Sequence, residues 1–140
     1  MTNKINESSF DVVGIGNAIV DVLITTDDQL LERLSLNKGS MTLIDENKGK
    51  ELYEITTNRI QSSGGSVANS LACVAQLGGK AAFIGRVRND KLGEIFTEEI
   101  SRTGTIFKTP PSSVGPSTAR CLIFVTPDAQ RTMCTYLGAS

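Results

Sequence analysis

Short apolar runs alternate with segments of helical periodicity through most of the first three quarters of this 140-residue chain. The runs at 10–16, 81–85 and 105–107 have the composition of buried strands. Between them, apolar residues recur three or four positions apart, as on one face of a helix. Strands that alternate with helices are typical of a parallel sheet covered by helices. The alternation therefore predicts an α/β fold.

A different pattern follows the Pro- and Ser-rich stretch at 109–116. Strands are predicted over 118–126 and 132–137, and the turn between them indicates a hairpin rather than another strand–helix unit. Further strands are predicted over 17–24 and 40–44. The chain therefore combines an α/β part with additional extended segments.

Helices are predicted at four places. Asp27 or Asp28 is expected to cap a short helix, and Asp90 a longer one, because an aspartate side chain accepts hydrogen bonds from the first turn. Another helix is predicted over 46–60, preceding a loop that includes Ser62 and Ser63. The remaining helix follows directly on that loop.

This remaining helix begins at Gly64-Gly65-Ser66-Val67-Ala68-Asn69. Glycines let the backbone turn tightly and let a ligand approach it, while a helix start exposes unpaired N–H groups and partial positive charge. Asn69, one turn inside, offers a donor and an acceptor, and needs a partner if it faces the core. The group suits a polyhydroxylated ligand, although the glycines alone would also serve as a tight turn.

Asn17 and Asp21 form a second polar pair, at the point where the first strand leaves the core. Residues four apart in an extended segment share a face, so a carboxylate and an amide would point the same way. Together they can bind a vicinal diol, with the aspartate accepting both hydroxyl protons. The alternative is ordinary turn chemistry, which Asn and Asp also favour.

Composition excludes several other functions. The net charge of −1 and the lack of a basic run argue against nucleic acid or an anionic membrane as partner. No apolar run is long enough to span a bilayer and the first residues carry no secretion signal, so a cytoplasmic location is expected. The three cysteines lack metal-binding spacing and histidine is absent, so no metal site is predicted.

Two nucleotide-binding motifs fit poorly. Gly14-Ile15-Gly16 resembles the start of a dinucleotide-binding fingerprint, but Ile19 stands where the third small residue is required. No Walker A sequence is present. A nicotinamide-dependent dehydrogenase domain remains an alternative that would have to bind its cofactor despite Ile19.

Four motifs in order carry a family resemblance. They are Gly14-x-Gly16-Asn17-x-x-x-Asp21, Gly64-Gly65-Ser66-x-x-Asn69, Ile84-Gly85-Arg86-Val87-x-Asn89-Asp90-x-x-Gly93 and the run from Val125 to Met133. Together they resemble the N-terminal portion of a ribokinase/PfkB-type carbohydrate kinase. The three-residue gap between Asn17 and Asp21 is similar to that of adenosine kinases and related bacterial sugar kinases. Arg88 departs from the pattern, since relatives often have glycine there.

The resemblance implies a Rossmann-like ribokinase fold, with a partial parallel sheet, flanking helices and a small β-sheet lid. The lid would comprise segments of about 17–24, 41–45 and 117–137. The α/β core would comprise about 9–16 and 46–112. Within 1–140 the chain would thus hold the N-terminal portion of such a kinase, with the catalytic and ATP-binding half absent.

The resemblance also implies a set of substrate-binding residues: Asn17, Asp21, Ile44, Gly64, Gly65, Asn69 and Met133. Asp21 would bind the sugar diol, with Asn17 and Asn69 adding contacts. Arg131 would approach the transferring phosphate, although in a turn it is by default a solvated charge.

The implied activity is ATP-dependent transfer of a phosphoryl group to a primary hydroxyl of a nucleoside or sugar, with adenosine, and hence purine salvage, the first expectation. The catalytic aspartate and the ATP and Mg²⁺ sites are expected downstream, so no catalytic residue is assigned and the 140-residue chain is expected to be inactive alone. A non-catalytic nucleoside- or sugar-binding fragment is one alternative, and a homodimer formed through the lid is another. A parallel sheet that is cut partway also predicts poor folding, aggregation or binding to another chain.

Overall fold

A computed structural model describes residues 9–140 of the chain. Residues 1–8, in which the sequence predicts no secretion signal, lie outside the described residues. The described part contains eight strands and four helices. Their bounds are β1 Val12–Ile15, β2 Ile19–Thr25, α1 Asp28–Arg33, β3 Met41–Leu43, α2 Glu46–Glu54, β4 Arg59–Gly64, α3 Ser66–Gln76, β5 Ala81–Ile84, α4 Lys91–Arg102, β6 Ile106–Phe107, β7 Ala119–Val125 and β8 Arg131–Tyr136.

The first sheet holds three parallel strands in the order β1-β5-β6. Gly14 of β1 pairs with Phe83 of β5, so these two residues lie on the same face of the sheet. A side chain at Gly14 would come within 2.6 Å of Val67 Cγ1 in α3, which shows how closely that helix packs. Phe83 meets Phe96 of α4, with ring centroids 5.7 Å apart. Both helices therefore cover one face, and the predicted parallel sheet with flanking helices is confirmed.

The second sheet holds five strands in the order β3-β8-β7-β2-β4. Strands β7 and β8 form the predicted antiparallel hairpin, with Leu122 opposite Cys134. Strand β2 runs parallel to β7 and antiparallel to β4, and β3 runs parallel to β8. One face, which we call the helix face, carries buried Val20, Val22 and Phe124 and joins the hydrophobic core.

The opposite face of this sheet, the open face, is only partly covered. Asp21 of β2 is aligned with Cys121 of β7, Thr135 of β8 and Leu43 of β3, so these side chains form a row across the sheet. Apolar side chains surround the row. They are Leu23, Met41, Ile60, Ile123 and Met133.

The predicted helix over 46–60 is wrong in its second half. Helix α2 ends at Glu54, where the Thr56 hydroxyl donates to the carbonyls of Leu52 and Tyr53 at 3.1 and 3.0 Å. Asn58 then adopts a positive φ of 54°, which reverses the chain. Residues 59–64, including the serines predicted to lie in a loop, instead form β4 at the edge of the second sheet.

Asp90 caps α4 as predicted, and it also hydrogen-bonds to Thr118. Its Oδ1 accepts from the Gly93 backbone N–H at 2.9 Å and from the Thr118 hydroxyl at 2.7 Å. Its Oδ2 accepts from the Thr118 backbone N–H at 2.9 Å. Thr118 directly precedes β7, so this one carboxylate ties the second sheet to the helix that covers the first.

Among residues 9–140, none of the four helices has the length and apolar composition needed to span a bilayer.

Candidate functional site

Asp21 lies on the open face of β2, which is the alternation expected of a strand whose other face carries Val20 and Val22. The side chain is half-buried, and this burial raises the pKa of the carboxyl above its ordinary value. No donor among residues 9–140 hydrogen-bonds to the carboxylate. The carboxylate is therefore an acceptor without a hydrogen-bond donor, and keeping it charged in this half-buried position costs free energy.

Gly64 and Gly65 lie directly against this carboxylate and its neighbours. A Cβ at Gly64 would overlap the Asp21 carboxyl group and stand 2.5 Å from Oδ1. Gly65 has a φ of 96°, and a Cβ there would lie 2.6 Å from the Asn17 carbonyl oxygen. Glycine at 64 thus lets the Asp21 side chain keep its observed position, whereas glycine at 65 is required by the backbone conformation and by the Asn17 carbonyl.

The structure brings Asn17, Asp21, Gly64 and Gly65 together, as the sequence predicts, but the reason differs for Asn17. This residue precedes β2 rather than belonging to it, so the shared-face argument does not apply. Its backbone carbonyl lies beside Gly65 because the β1–β2 connection passes there, and its side chain is exposed.

Asn69 is exposed on the second turn of α3, so it does not need the core partner that a buried amide would require. Its backbone N–H donates to the Gly65 carbonyl at 2.9 Å. Helix α3 begins without a side-chain cap, unlike α1, α2 and α4, each of which has an aspartate. The first N–H groups of α3 therefore lie beside the glycine pair without a capping side chain.

The structure does not place Ile44 under the open face. Its side chain packs against the core, with Cδ1 3.7 Å from where a Cβ would stand at Gly49 of α2. The parallel pairing with β8 instead puts Met41 and Leu43 on the open face. Met133, by contrast, lies half-buried on that face, as expected.

Arg131 is exposed at the start of β8, opposite Val125, and shares the open face with Met133 by strand alternation. It stands four residues along the strand from Thr135 and two strands away from Asp21. At about 3.3 Å per residue and about 4.8 Å per strand, this separation amounts to roughly 16 Å. The structure therefore does not bring Arg131 into contact with the Asp21 group.

The sequence analysis did not identify two neighbours of Asp21. Cys121 and Thr135 are buried in its row, and the Thr135 hydroxyl contacts the Cys121 sulfur at 3.2 Å. Burial chiefly, and the nearby Asp21 charge in addition, raise the pKa of the Cys121 thiol, which therefore stays protonated. Only the register of β2, β7 and β8 reveals these neighbours, and the sequence carries no signal for that register.

Residues 9–140 contain no group of three or more His, Cys, Asp or Glu side chains that could hold a metal ion. The three cysteines are free thiols. The chemistry that the site offers is therefore the acceptance of hydrogen bonds from hydroxyl groups by Asp21, next to the uncapped start of α3 and an apolar surface.

Comparisons with known proteins show which sequences and folds this chain resembles. The model of the pfkB family carbohydrate kinases matches residues 38–140. The structure superposes with a TM-score of 0.83 on an adenosine kinase from Sinorhizobium meliloti, at 48% identity, and on a probable sugar kinase from Rhizobium etli, at 46% identity. Each match covers 94% of this chain and 40% of the solved one.

Among curated proteins, the probable fructokinase-5 of Arabidopsis thaliana is 24% identical over 76% of this chain. The chain spans 33% of the length of that relative. The predicted ribokinase-type α/β fold is confirmed by the match to the two bacterial kinases.

Proposed function

The chain belongs to the pfkB family of carbohydrate kinases, and we propose that the protein built on it phosphorylates a primary hydroxyl of a nucleoside. Residues 9–140 supply the part that binds the nucleoside. ATP is the phosphoryl donor, and adenosine is the first candidate substrate.

The observation that carries this proposal is the unpaired Asp21 carboxylate packed on Gly64. A carboxylate with two free oxygens can accept both hydroxyl protons of a vicinal diol, and hydrogen bonds to a charged acceptor are the strong ones. The ribose 2′- and 3′-hydroxyls form such a diol. Gly64 lets the Asp21 carboxylate keep this position, and beside Gly65 the first N–H groups of α3 carry no capping side chain.

The surface beside Asp21 favours a nucleoside over a simple sugar. Met41 and Leu43 are 58% and 61% exposed on the open face, and Leu23 is 37% exposed. A fructose or ribose has less apolar area to cover such a surface than a purine base has. The names of the matched kinases support either class, since one is an adenosine kinase and another a probable sugar kinase.

The proposal also assigns a movement to the second sheet. Its five strands act as a lid over the nucleoside, connected to the α/β core through residues 16–18, Gly65 and residues 108–118, and held to α4 by Asp90. Closure of this lid would exclude water from the reacting phosphate and so protect ATP from hydrolysis. On closure Arg131, now about 16 Å from Asp21, would approach the transferring phosphate.

Phosphoryl transfer also requires bound phosphates, magnesium and a group that orients the attacking hydroxyl. The described residues offer neither a metal-binding cluster nor a phosphate-binding loop. The proposal therefore assigns the ATP and Mg²⁺ sites and the catalytic base to polypeptide other than residues 9–140, and no step of the transfer is assigned to these residues.

Calorimetric titration of adenosine, ribose and fructose into the protein tests the proposal. We expect adenosine to bind more tightly than either sugar, and Asp21→Asn to weaken adenosine binding while keeping the size of the side chain. Asp28→Asn is the matched control, because Asp28 forms an exposed ion pair with Lys38 away from the open face. Fructose binding without adenosine binding, or adenosine binding unchanged by Asp21→Asn, would contradict the proposal.

A further inference from the structure

Arg88, in the connection between β5 and α4, is a partly buried cation without a partner. Among residues 9–140 its side chain makes no hydrogen bond or ion pair, and its Nη1 is buried. Of the Asp, Glu, Lys and Arg side chains that the described residues bury wholly or in part, only Asp21 shares this condition. The proposed function assigns a ligand to Asp21 but none to Arg88, which is also the residue at which this chain departs from the family pattern.

Arg120 shows the contrast, because it is buried and yet stabilised within the protein. It is 5% exposed, and its Nε also lacks a hydrogen-bond partner. Its Nη2, however, donates to the Ser117 hydroxyl at 3.2 Å, and its guanidinium carbon lies 5.8 and 5.6 Å from the ring centres of Tyr53 and Tyr136. Aromatic rings at such distances attract a cation. Arg88 has neither kind of contact within residues 9–140, and since a partly buried guanidinium without an acceptor costs free energy, an acceptor from outside these residues would stabilise it.

Arg88 lines a cavity of about 290 Å³, formed by the loop 88–90, one side of α4 and the chain after β6 at 109–111. The loop is held in place, because the Arg88 backbone N–H donates to the Thr118 hydroxyl at 2.9 Å. A Cβ at Gly93 of α4 would overlap the Arg88 carbonyl, so the helix and the loop are in close contact. The cavity shares no lining residue with the site proposed for the nucleoside. It is therefore a separate and preformed cavity.

The charges around the cavity indicate the class of ligand that fits. The guanidinium of Arg88 is a planar set of donors that matches the two oxygens of a carboxylate. Helix α4 contributes Glu94 and Glu98 to the lining. Glu94 pairs with Lys91 at 3.0 Å, whereas Glu98 is exposed and forms no ion pair within residues 9–140. The lining thus holds one unpaired cation and one unpaired anion.

We propose that this cavity binds a free α-amino acid, with its carboxylate on Arg88 and its ammonium group towards Glu98. The remaining charged groups of the lining, Asp90 and Glu94, already have partners, so an uncharged side chain fits best. A phosphate dianion fits less well, because Glu98 would repel it. The inference concerns a site apart from Asp21, and it does not depend on the proposed substrate.

Calorimetric titration of L-alanine, L-leucine, L-glutamine and inorganic phosphate into the protein tests the inference. We expect at least one of the three amino acids to bind more tightly than phosphate. For the amino acid that binds most tightly, the amine that lacks its carboxylate and the carboxylic acid that lacks its ammonium group are titrated as well. Each of these should bind at least roughly tenfold more weakly, because each loses one charged contact.

Two pairs of variants assign the binding to this cavity. Arg88→Gln should weaken it at least roughly tenfold, whereas Arg86→Gln should not, since Arg86 lies outside the lining and donates to the Ser112 hydroxyl at 3.1 Å. Glu98→Gln should also weaken it, whereas Glu99→Gln should not, because Glu99 pairs with Arg102. No binding of any of the three amino acids, binding of phosphate alone, or binding unchanged by Arg88→Gln would overturn the inference.

Thermal melts without ligand test the premise that Arg88 lacks an acceptor. Arg88→Met should raise the melting temperature, because it keeps an unbranched apolar stem and removes a cation that has no partner. Arg86→Met is the matched control and should not raise it, since the Arg86 side chain is exposed and already hydrogen-bonded. A melting temperature that Arg88→Met lowers or leaves unchanged would show that the free protein already satisfies this cation, and would overturn the inference.

Discussion

Replacing Gly64 with alanine is expected to destroy diol binding through the displacement of a single carboxylate. The new Cβ would overlap the Asp21 carboxyl group, so either Asp21 must rotate away or β2 and β4 must separate locally. Each hydrogen bond to a charged group contributes about 1.5–3 kcal/mol. Losing two of them costs about 3–6 kcal/mol, and since about 1.4 kcal/mol is a tenfold change, the Kd for adenosine should rise by roughly a hundredfold or more.

The assay is calorimetric titration of adenosine into the wild-type protein, Gly64→Ala and the control Gly49→Ala. Gly49 lies inside α2, and the nearest atom to a Cβ there is Tyr136 Cβ at 3.5 Å, which is ordinary van der Waals contact. Alanine is preferred over glycine inside a helix by about 0.5–1 kcal/mol. Gly49→Ala should therefore raise the melting temperature and leave the Kd unchanged.

A Gly64→Ala variant that is folded and binds adenosine with wild-type affinity would refute this reasoning. It would show either that the Asp21 carboxylate does not hold the diol, or that its position against Gly64 is unimportant. Circular dichroism and the melting temperature of each variant separate a loss of binding from a loss of fold.

Three further results are expected. Burial raises the pKa of Asp21 in the folded protein, so between the ordinary and the raised pKa the native state keeps a proton that the unfolded chain has released. The free energy of unfolding should therefore fall as pH rises through that interval. Thermal melts should show the fall in the wild-type protein and not in Asp21→Asn. Asp90→Ala should lower the free energy of unfolding by about 2–4 kcal/mol, because it removes a helix cap and the hydrogen bonds to Thr118. Asp45→Ala removes only a helix cap and should lower it by about 1 kcal/mol. Urea denaturation measures both changes. The Lys38 ammonium, together with the Thr126 hydroxyl, lowers the pKa of Asp128 to about 2. Lys38→Met should therefore raise this pKa in an NMR titration, and an unchanged value would show that the ion pair does not form.

Local signals made part of the fold predictable. Asp90 stands directly before an amphipathic run, and its side chain accepts the first-turn N–H as expected. The hairpin of β7 and β8 follows from two apolar runs around a turn rich in polar residues and proline. Each of these features depends on residues that are close together in the chain, so pattern and propensity are sufficient to predict them.

Features set by distant partners were not predictable. Strand β4 has a largely polar sequence that gains its hydrogen bonds from β2, about forty residues earlier in the chain, so nothing local distinguishes it from a loop. The side on which Ile44 packs depends on the pairing of β3 with β8. The same register places Cys121 beside Asp21, and a shift of one residue would have moved it to the helix face.

The central claim is that Asp21, packed on Gly64, holds a ribose diol, and the most direct measurement compares adenosine with 2′-deoxyadenosine by calorimetric titration. The account predicts that wild-type protein binds 2′-deoxyadenosine at least tenfold more weakly, since one hydrogen bond to a charged acceptor contributes about 1.5–3 kcal/mol. In Asp21→Asn, the preference for adenosine should largely disappear. Equal affinity of the wild-type protein for the two nucleosides would contradict the claim.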